Sequence, residues 1–273
     1  MPGFGLSLGV TATWVGLLVV LPLAALVARS VGAGWAVFAE VLTSERALAA
    51  LGLSFGAATV AATANVLLGT LVAWVLVRYE FPGRGVLDAL VDLPFAMPTA
   101  VSGLALTAVY ASDGWLGRWL SAAGVEVAYT RLGVVVALMF IGLPFVVRSV
   151  QPALSEVERE LEEAAMSLGA SRFQTLWRVV RPVVMPAMLT GFGMALARGL
   201  GEYGSVVFIA GNVPGETEIA PLLIMMRLES FDDAGAVVLA VVMLAASVVL
   251  MAGVHVLQAR SEAWLSGGNG GVR

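Results

Sequence analysis

Apolar residues along this chain fall in long blocks rather than in alternation. A helix rising ~1.5 Å per residue needs ~20 mostly apolar residues to cross a bilayer core ~30 Å thick. Six stretches approach or exceed that length: about 10–28, a helix within the uncharged run 47–77, 86–110, 132–150, 186–210 and 236–259. The third carries Asp88 and Asp92 near its start and is interrupted by Pro94 and Pro98. Lipid offers no partners for backbone N–H and C=O groups, so each block is expected to be helical. The pattern predicts an all-α, polytopic membrane protein with six transmembrane helices. The first block reads as an uncleaved helix. Residues 1–9 contain no Lys or Arg, and the apolar run exceeds the ~7–15 residues of a signal-peptide core.

Composition sharpens this reading. Hydrophobic residues make up 59% of the 273 positions and charged residues 12%, about half the share of an ordinary soluble domain. So few polar groups could not cover a water-soluble protein of this size. The chain has no Cys, and all 15 of its Lys-plus-Arg residues are Arg. That removes disulfides, thiolate metal sites, a P-loop and lysine chemistry, and the lone His255 cannot build a His-rich metal site. The expectation is a chain with no catalytic residue, no metal site and no cofactor of its own. Any ATP and Mg²⁺ chemistry belongs to a partner polypeptide. A net charge of −4 gives no footprint for nucleic acid.

Arginines set the orientation. With both termini cytoplasmic, the inner segments hold nine (Arg78, Arg84, Arg148, Arg159, Arg172, Arg178, Arg181, Arg260, Arg273). The outer loops hold five (Arg29, Arg46, Arg118, Arg131, Arg227), and Arg198 lies within a span. In the outer loop 112–131, Trp115, Trp119 and Tyr129 read as interfacial anchors. Residues 211–235 are long enough to cover a pore mouth or meet a partner, and the Gly-rich tail 261–273 reads as disordered.

Charge concentrates between the fourth and fifth spans. Ser155 and Glu158 have the spacing of a capping box. Val157, Leu161, Ala164, Ala165 and Leu168 then recur at helical spacing on an acidic helix, and Gly169 stands where a left-handed cap would end it. A second short amphipathic helix follows, with Phe173, Leu176, Trp177 and Val180 beside Arg172, Arg178 and Arg181, closed by Pro182. A helix–Gly–helix elbow with small residues can enter a groove on a protein. The alternative, interfacial helices on lipid, accommodates the arginines and Trp177 but not the five glutamates within 156–163.

Glu163-Ala164-Ala165, three residues, Gly169, nine residues, Val179, one residue and Arg181-Pro182 resemble the E-A-A-x3-G-x9-I-x-L-P signature of binding-protein-dependent ABC importer permeases. Val179 replaces Ile and Arg181 replaces Leu, both outside the elbow itself. The runs Leu87–Phe95 and Pro98–Gly103 resemble oxyanion-importing permeases. Gly201–Asn212 with Glu218–Ile224 is most similar to the T-type permease subunit of sulfate/thiosulfate importers. The resemblance implies a type I ABC importer permease fold in the bacterial cytoplasmic (inner) membrane. The expected division is a first helix and outside loop (1–46), a permease core (47–260, coupling helices about 155–181) and a cytoplasmic tail. It also implies coupling through Glu163, Ala164, Ala165 and Gly169 to an ATP-binding cassette ATPase dimer. Its further partners would be a second, distinct permease and a periplasmic or surface-tethered sulfate-binding protein. Molybdate or tungstate is the alternative cargo; an ion-coupled carrier or channel without an ATPase is the alternative class.

The pattern Gly199-Leu200-Gly201-Glu202-Tyr203-Gly204 matches a dinucleotide fingerprint, but it lies in an apolar span with no strand before it, and it is expected to serve packing or a bend. Arg198 and Glu202, four residues apart, can share a helix face. They read either as a structural pair or as a pathway site, Arg198 lowering the barrier for a dianion and Glu202 holding it or closing a gate. Asp88 and Asp92 are expected to pair with arginines such as Arg84, and His255 to lie at the interface.

Overall fold

The computed structural model describes residues 3–268, and every regular element among them is helical. Helix α1 spans Phe4–Gly32 with a π-turn at Gly16–Val20, and α2 is Trp35–Thr43. Helix α3 is Glu45–Arg78. Three short helices follow, α4 Arg84–Val91, α5 Leu93–Ala96 and α6 Thr99–Tyr110, then α7 Gly117–Ala122. Helix α8 runs Arg131–Glu156, α9 Arg159–Ser167 and α10 Arg172–Leu200. The described residues end with α11 Val206–Ile209, α12 Ala220–Glu229 and α13 Asp233–Gly268.

Among the described residues, five helices (α1, α3, α8, α10 and α13) are long and apolar enough to cross a membrane. The predicted third span is not one helix. It breaks at Asp92 and again at Met97-Pro98, where Met97 turns extended (ψ 135°). Proline has no N–H to donate and forces the preceding residue out of the α region. The other long helices run past the apolar blocks, and two of them open on side-chain caps: Ser44 Oγ accepts from Ala47 N at 3.3 Å and Thr130 Oγ1 from Leu132 N at 3.2 Å.

Helices α3, α8 and α10 pack on one another and form the centre. Lipid tails are as apolar as leucine, so burial alone does not drive helices together in a membrane, and close van der Waals contact must. Small residues make that approach possible. A Cβ on Gly142 would stand 2.5 Å from Asn65 Nδ2, and one on Gly191 2.8 Å from Val146 Cα. A second cluster, Val41, Ala47, Ala50, Leu223, Val238 and Leu239, ties α2 and α12 to α3 and α13. The second half of α1 meets α13.

Four local expectations are corrected. The Ser155 capping box does not form. Helix α8 continues to Glu156, carried by buried Val150 and Leu154, and the Ser155 hydroxyl donates back to Gln151 O (3.0 Å). Pro182 does not close a helix. Arg172–Leu200 is continuous, and a π-turn at Leu176–Val180 carries the chain into the proline. The predicted fifth span, 186–210, instead ends at Leu200. The first eight residues of the predicted tail belong to α13, while 269–273 lie outside the described residues.

Candidate functional site

The elbow is built by two interruptions. After α8, Val157 and Glu158 turn extended (ψ 105° and 133°), and the chain restarts as α9. Helix α9 ends in a full Schellman motif: Gly169 sits at φ +88°, its N–H donates to Met166 O (2.9 Å), and Ala170 N–H donates to Ala165 O (3.0 Å). Glycine is required here because a Cβ strains the left-handed region. The next helix opens on a capping box that sequence reading missed: Ser171 Oγ accepts from Gln174 N (3.3 Å) and Gln174 Oε1 from Ser171 N (2.8 Å). The S-x-x-Q spacing was its signal.

Glu163, Ala164 and Gly169 are exposed, Ala165 is half-buried, and Leu168 at the tip is 90% exposed. Leu161 and Met166 are exposed as well, while Val157 is buried beneath the elbow. The apolar stripe therefore points away from the chain, among carboxylates. A tether holds it: Arg78, at the end of α3, reaches Glu162 at 2.5 Å and Val157 O at 3.2 Å. Beside it, Arg148 clamps Asp92 (2.6 and 2.9 Å) and Asp88 (2.7 Å), with Gln151 at 2.6 Å. Arg148 on α8, not Arg84, is thus the hydrogen-bonded partner of both aspartates, because α4 and α5 pack against α8.

At the far end of α10 the structure brings Arg198 and Glu202 together, Nη1 to Oε2 at 2.6 Å. The other carboxylate oxygen accepts from Ser205 N (2.8 Å) and Ser205 Oγ (2.9 Å). Glu202 is 2% exposed and Arg198 33%. Both carboxylate oxygens are thus occupied and sealed, while part of the guanidinium faces outward. The glycines of 199–204 carry the turn that ends α10, as a bend rather than a nucleotide loop. Gly103 of α6 lies against Ser205, and a Cβ there would fall on its carbonyl and 2.9 Å from its Cα.

The 211–235 segment is fastened down. Arg46 grips Glu218 through two bonds (2.7 and 2.6 Å), the carboxylate being fully buried, and Ala220 N–H donates to Ser54 Oγ (2.8 Å). Sequence reading missed this pair, whose members lie 172 residues apart with no local signal.

The chain is similar to known membrane transport proteins in sequence and in fold. The family model described as "Binding-protein-dependent transport system inner membrane component" matches residues 65–263. The chain is 50% identical over 246 residues to the probable sulfate transport system permease protein cysT of Nephroselmis olivacea, covering 90% of this chain and 87% of that one. It is 46% identical over 260 residues to the sulfate transport system permease protein CysT of Escherichia coli K12, covering 95% and 94%. In structure it resembles a chain of a bacterial ABC transporter involved in import of the acidic polysaccharide alginate (TM-score 0.74, 15% identity, 92% of each chain). It also resembles one from a bacterial alginate ABC transporter in complex with alginate pentasaccharide-bound periplasmic protein (TM-score 0.76, 17% identity, 93% of each).

Proposed function

The chain belongs to the family of binding-protein-dependent transport system inner membrane components, and on that premise we propose that it is the membrane-spanning permease subunit of an ATP-driven importer of sulfate and thiosulfate. Identity of 46–50% with sulfate permease subunits over at least 90% of the chain supports the cargo. The observation that carries the coupling is the elbow, with a 90%-exposed leucine at its tip held out among carboxylates. Such a tip is suited to a groove on another protein, here an ATPase dimer. The permease has no covalent chemistry to perform. ATP and Mg²⁺ act on the partner, and closure of the ATPase dimer moves the Glu163-Ala164-Ala165…Gly169 elbow and, through α10, the region of Arg198.

In this reading the broken segment α4–α6 completes six crossings, and both termini and the elbow lie in the cytoplasm. A second, distinct permease supplies the other half of the pathway, and a sulfate-binding protein delivers the anion outside. A solved neighbour carrying a periplasmic protein lends support to that partner. Glu202, with both oxygens occupied, is a positioning residue that holds Arg198, and the exposed part of the Arg198 guanidinium lowers the barrier for a divalent anion.

The test is uptake of labelled sulfate, with molybdate as competitor, in cells lacking this chain and complemented by it or by its Gly169→Pro variant. Co-purification of the ATPase is followed in parallel. Restored uptake that resists molybdate and is lost with Gly169→Pro supports the proposal. Purification without an ATPase, or unchanged uptake by Gly169→Pro, overturns it.

A further inference from the structure

The elbow has two arms of opposite charge. The first, Glu156 to Glu163, carries five glutamates; from residue 164 to residue 201 there is no acidic residue, yet Arg172, Arg178 and Arg181 fall within ten positions. These arginines do not serve their own helix, whose N-terminal end favours acidic side chains.

Length places this second arm. Helix α10 has 29 residues, about 43 Å, against a bilayer core of ~30 Å that ~20 residues cross. Counted back from Leu200, the surplus is 172–180, which falls in the headgroup layer. The side chains there have the chemistry of that layer. Phe173 and Trp177 stack with ring centres 5.9 Å apart and planes at 14°, and the Arg181 guanidinium lies over the Trp177 ring at 3.9 Å. Both rings are more than half exposed. Beside them a crevice of about 410 Å³ opens between Trp74 and Tyr79 at the end of α3, Glu162 and Met166 of α9, and Arg172 of α10. The Glu162 carboxylate in its wall is paired with Arg78, and Arg172 stands in the same wall as the cation for an incoming anion.

We propose that the 172–181 arm seats an anionic phospholipid of the inner leaflet. Its headgroup phosphate meets Arg172 at the crevice, Arg178 on another face of the helix meets neighbouring anionic headgroups, and the Phe173–Trp177 pair lies at the boundary between headgroups and acyl chains. The two arms then divide the labour: the acidic arm, repelled by the anionic leaflet, is free for the ATPase, while the basic arm pins the foot of α10 to the membrane. The pinned foot gives an elbow pushed by the ATPase a fixed point about which to move α10. This rests on the cytoplasmic placement of the elbow proposed above.

The test is lipid retention by the intact importer. The complex is reconstituted in nanodiscs of mixed phosphatidylglycerol and phosphatidylcholine, extracted gently, and its bound lipids are counted by native mass spectrometry. The wild-type complex is expected to keep phosphatidylglycerol over phosphatidylcholine. Arg172→Gln/Arg178→Gln is expected to reduce that preference by about fivefold per charge with the ATPase still bound, and Arg172→Lys/Arg178→Lys to preserve it. Equal retention of both lipids by the wild type, a measurement that needs no variant, overturns the proposal. So does release of the ATPase by the Gln variant while lipid is kept, since the basic arm would then be docking protein. A wild-type chain that retains phosphatidylglycerol but never holds an ATPase refutes the importer reading and leaves the lipid seat standing.

Discussion

Glu202 and Arg198 are unequal partners, and the inequality fixes the order in which their variants should lose stability. Glu202 is 2% exposed and accepts three bonds, one from Arg198 and two from Ser205. Arg198 is 33% exposed. Replacing Glu202 by Gln keeps an oxygen for Ser205 and removes one charge-assisted bond. Such a bond contributes about 1.5–3 kcal/mol, and the low end applies because water can solvate the half-open guanidinium. Replacing Arg198 by Ala instead strands a buried carboxylate without its counter-charge, at a cost of about 3–5 kcal/mol. The double variant Arg198→Ala/Glu202→Gln removes both charges and should recover a large part of that loss. Thermal unfolding of the purified complex reads the order: Arg198→Ala lowest, then the double variant, with Glu202→Gln nearest wild type. Sulfate uptake by the double variant separates positioning from transport, and uptake is expected to stay low although the fold is restored. If Glu202→Gln unfolds below Arg198→Ala, or the two losses simply add, the carboxylate is not sealed as described. Wild-type uptake by the double variant would make the pair purely structural.

Three further outcomes follow from particular contacts. Arg46→Ala leaves the fully buried Glu218 unpaired, and a loss of about 3–5 kcal/mol should appear as a lowered unfolding temperature and faster proteolysis of the 211–219 loop. Gly103→Ala drives a Cβ into the Ser205 backbone; an overpacking cost of about 1–3 kcal/mol should reduce folded yield, whereas Gly52→Ala, with open space around it, should not. Arg148→Gln removes the clamp on Asp88 and Asp92, all three side chains being 33–46% exposed. About 1 kcal/mol or less per pair should be lost, with faster hydrogen exchange in α4 as the readout.

Long apolar blocks were legible because lipid permits little besides helix, so hydropathy and length located α1, α3, α8 and α13 directly and the second half of α10. The breaks were harder. Pro94 and Pro98 announced the interruption of the third span, but Pro182 looked like a stop and is not one, because the π-turn before it lets the helix run on. At the elbow, the left-handed cap at Gly169 was readable from local chemistry, and the E-A-A-x3-G spacing from the resemblance to importer permeases. The start of α9 was misjudged because buried Val150 and Leu154 hold α8 past Ser155, a tertiary contact no short window contains. The i,i+4 spacing of Arg198 and Glu202 foretold their pairing. The contacts of Glu202 with Ser205, and of Arg46 with Glu218, depend on where the chain returns. Partner choice around Asp88 failed for the same reason: Arg84 is near in sequence, and Arg148 is near in space.

Whether the elbow seats in an ATPase is best measured at Leu168. The chain contains no cysteine, so Leu168→Cys places the permease's single thiol at the exposed tip. Membranes carrying this variant together with the ATPase would be treated with a short thiol-reactive photo-crosslinker, with and without ATP. The account predicts one dominant adduct at the summed mass of permease and ATPase, with a yield that changes with nucleotide. Adducts with lipid alone, or labelling of the introduced thiol by a membrane-impermeant reagent added outside intact cells, would contradict it.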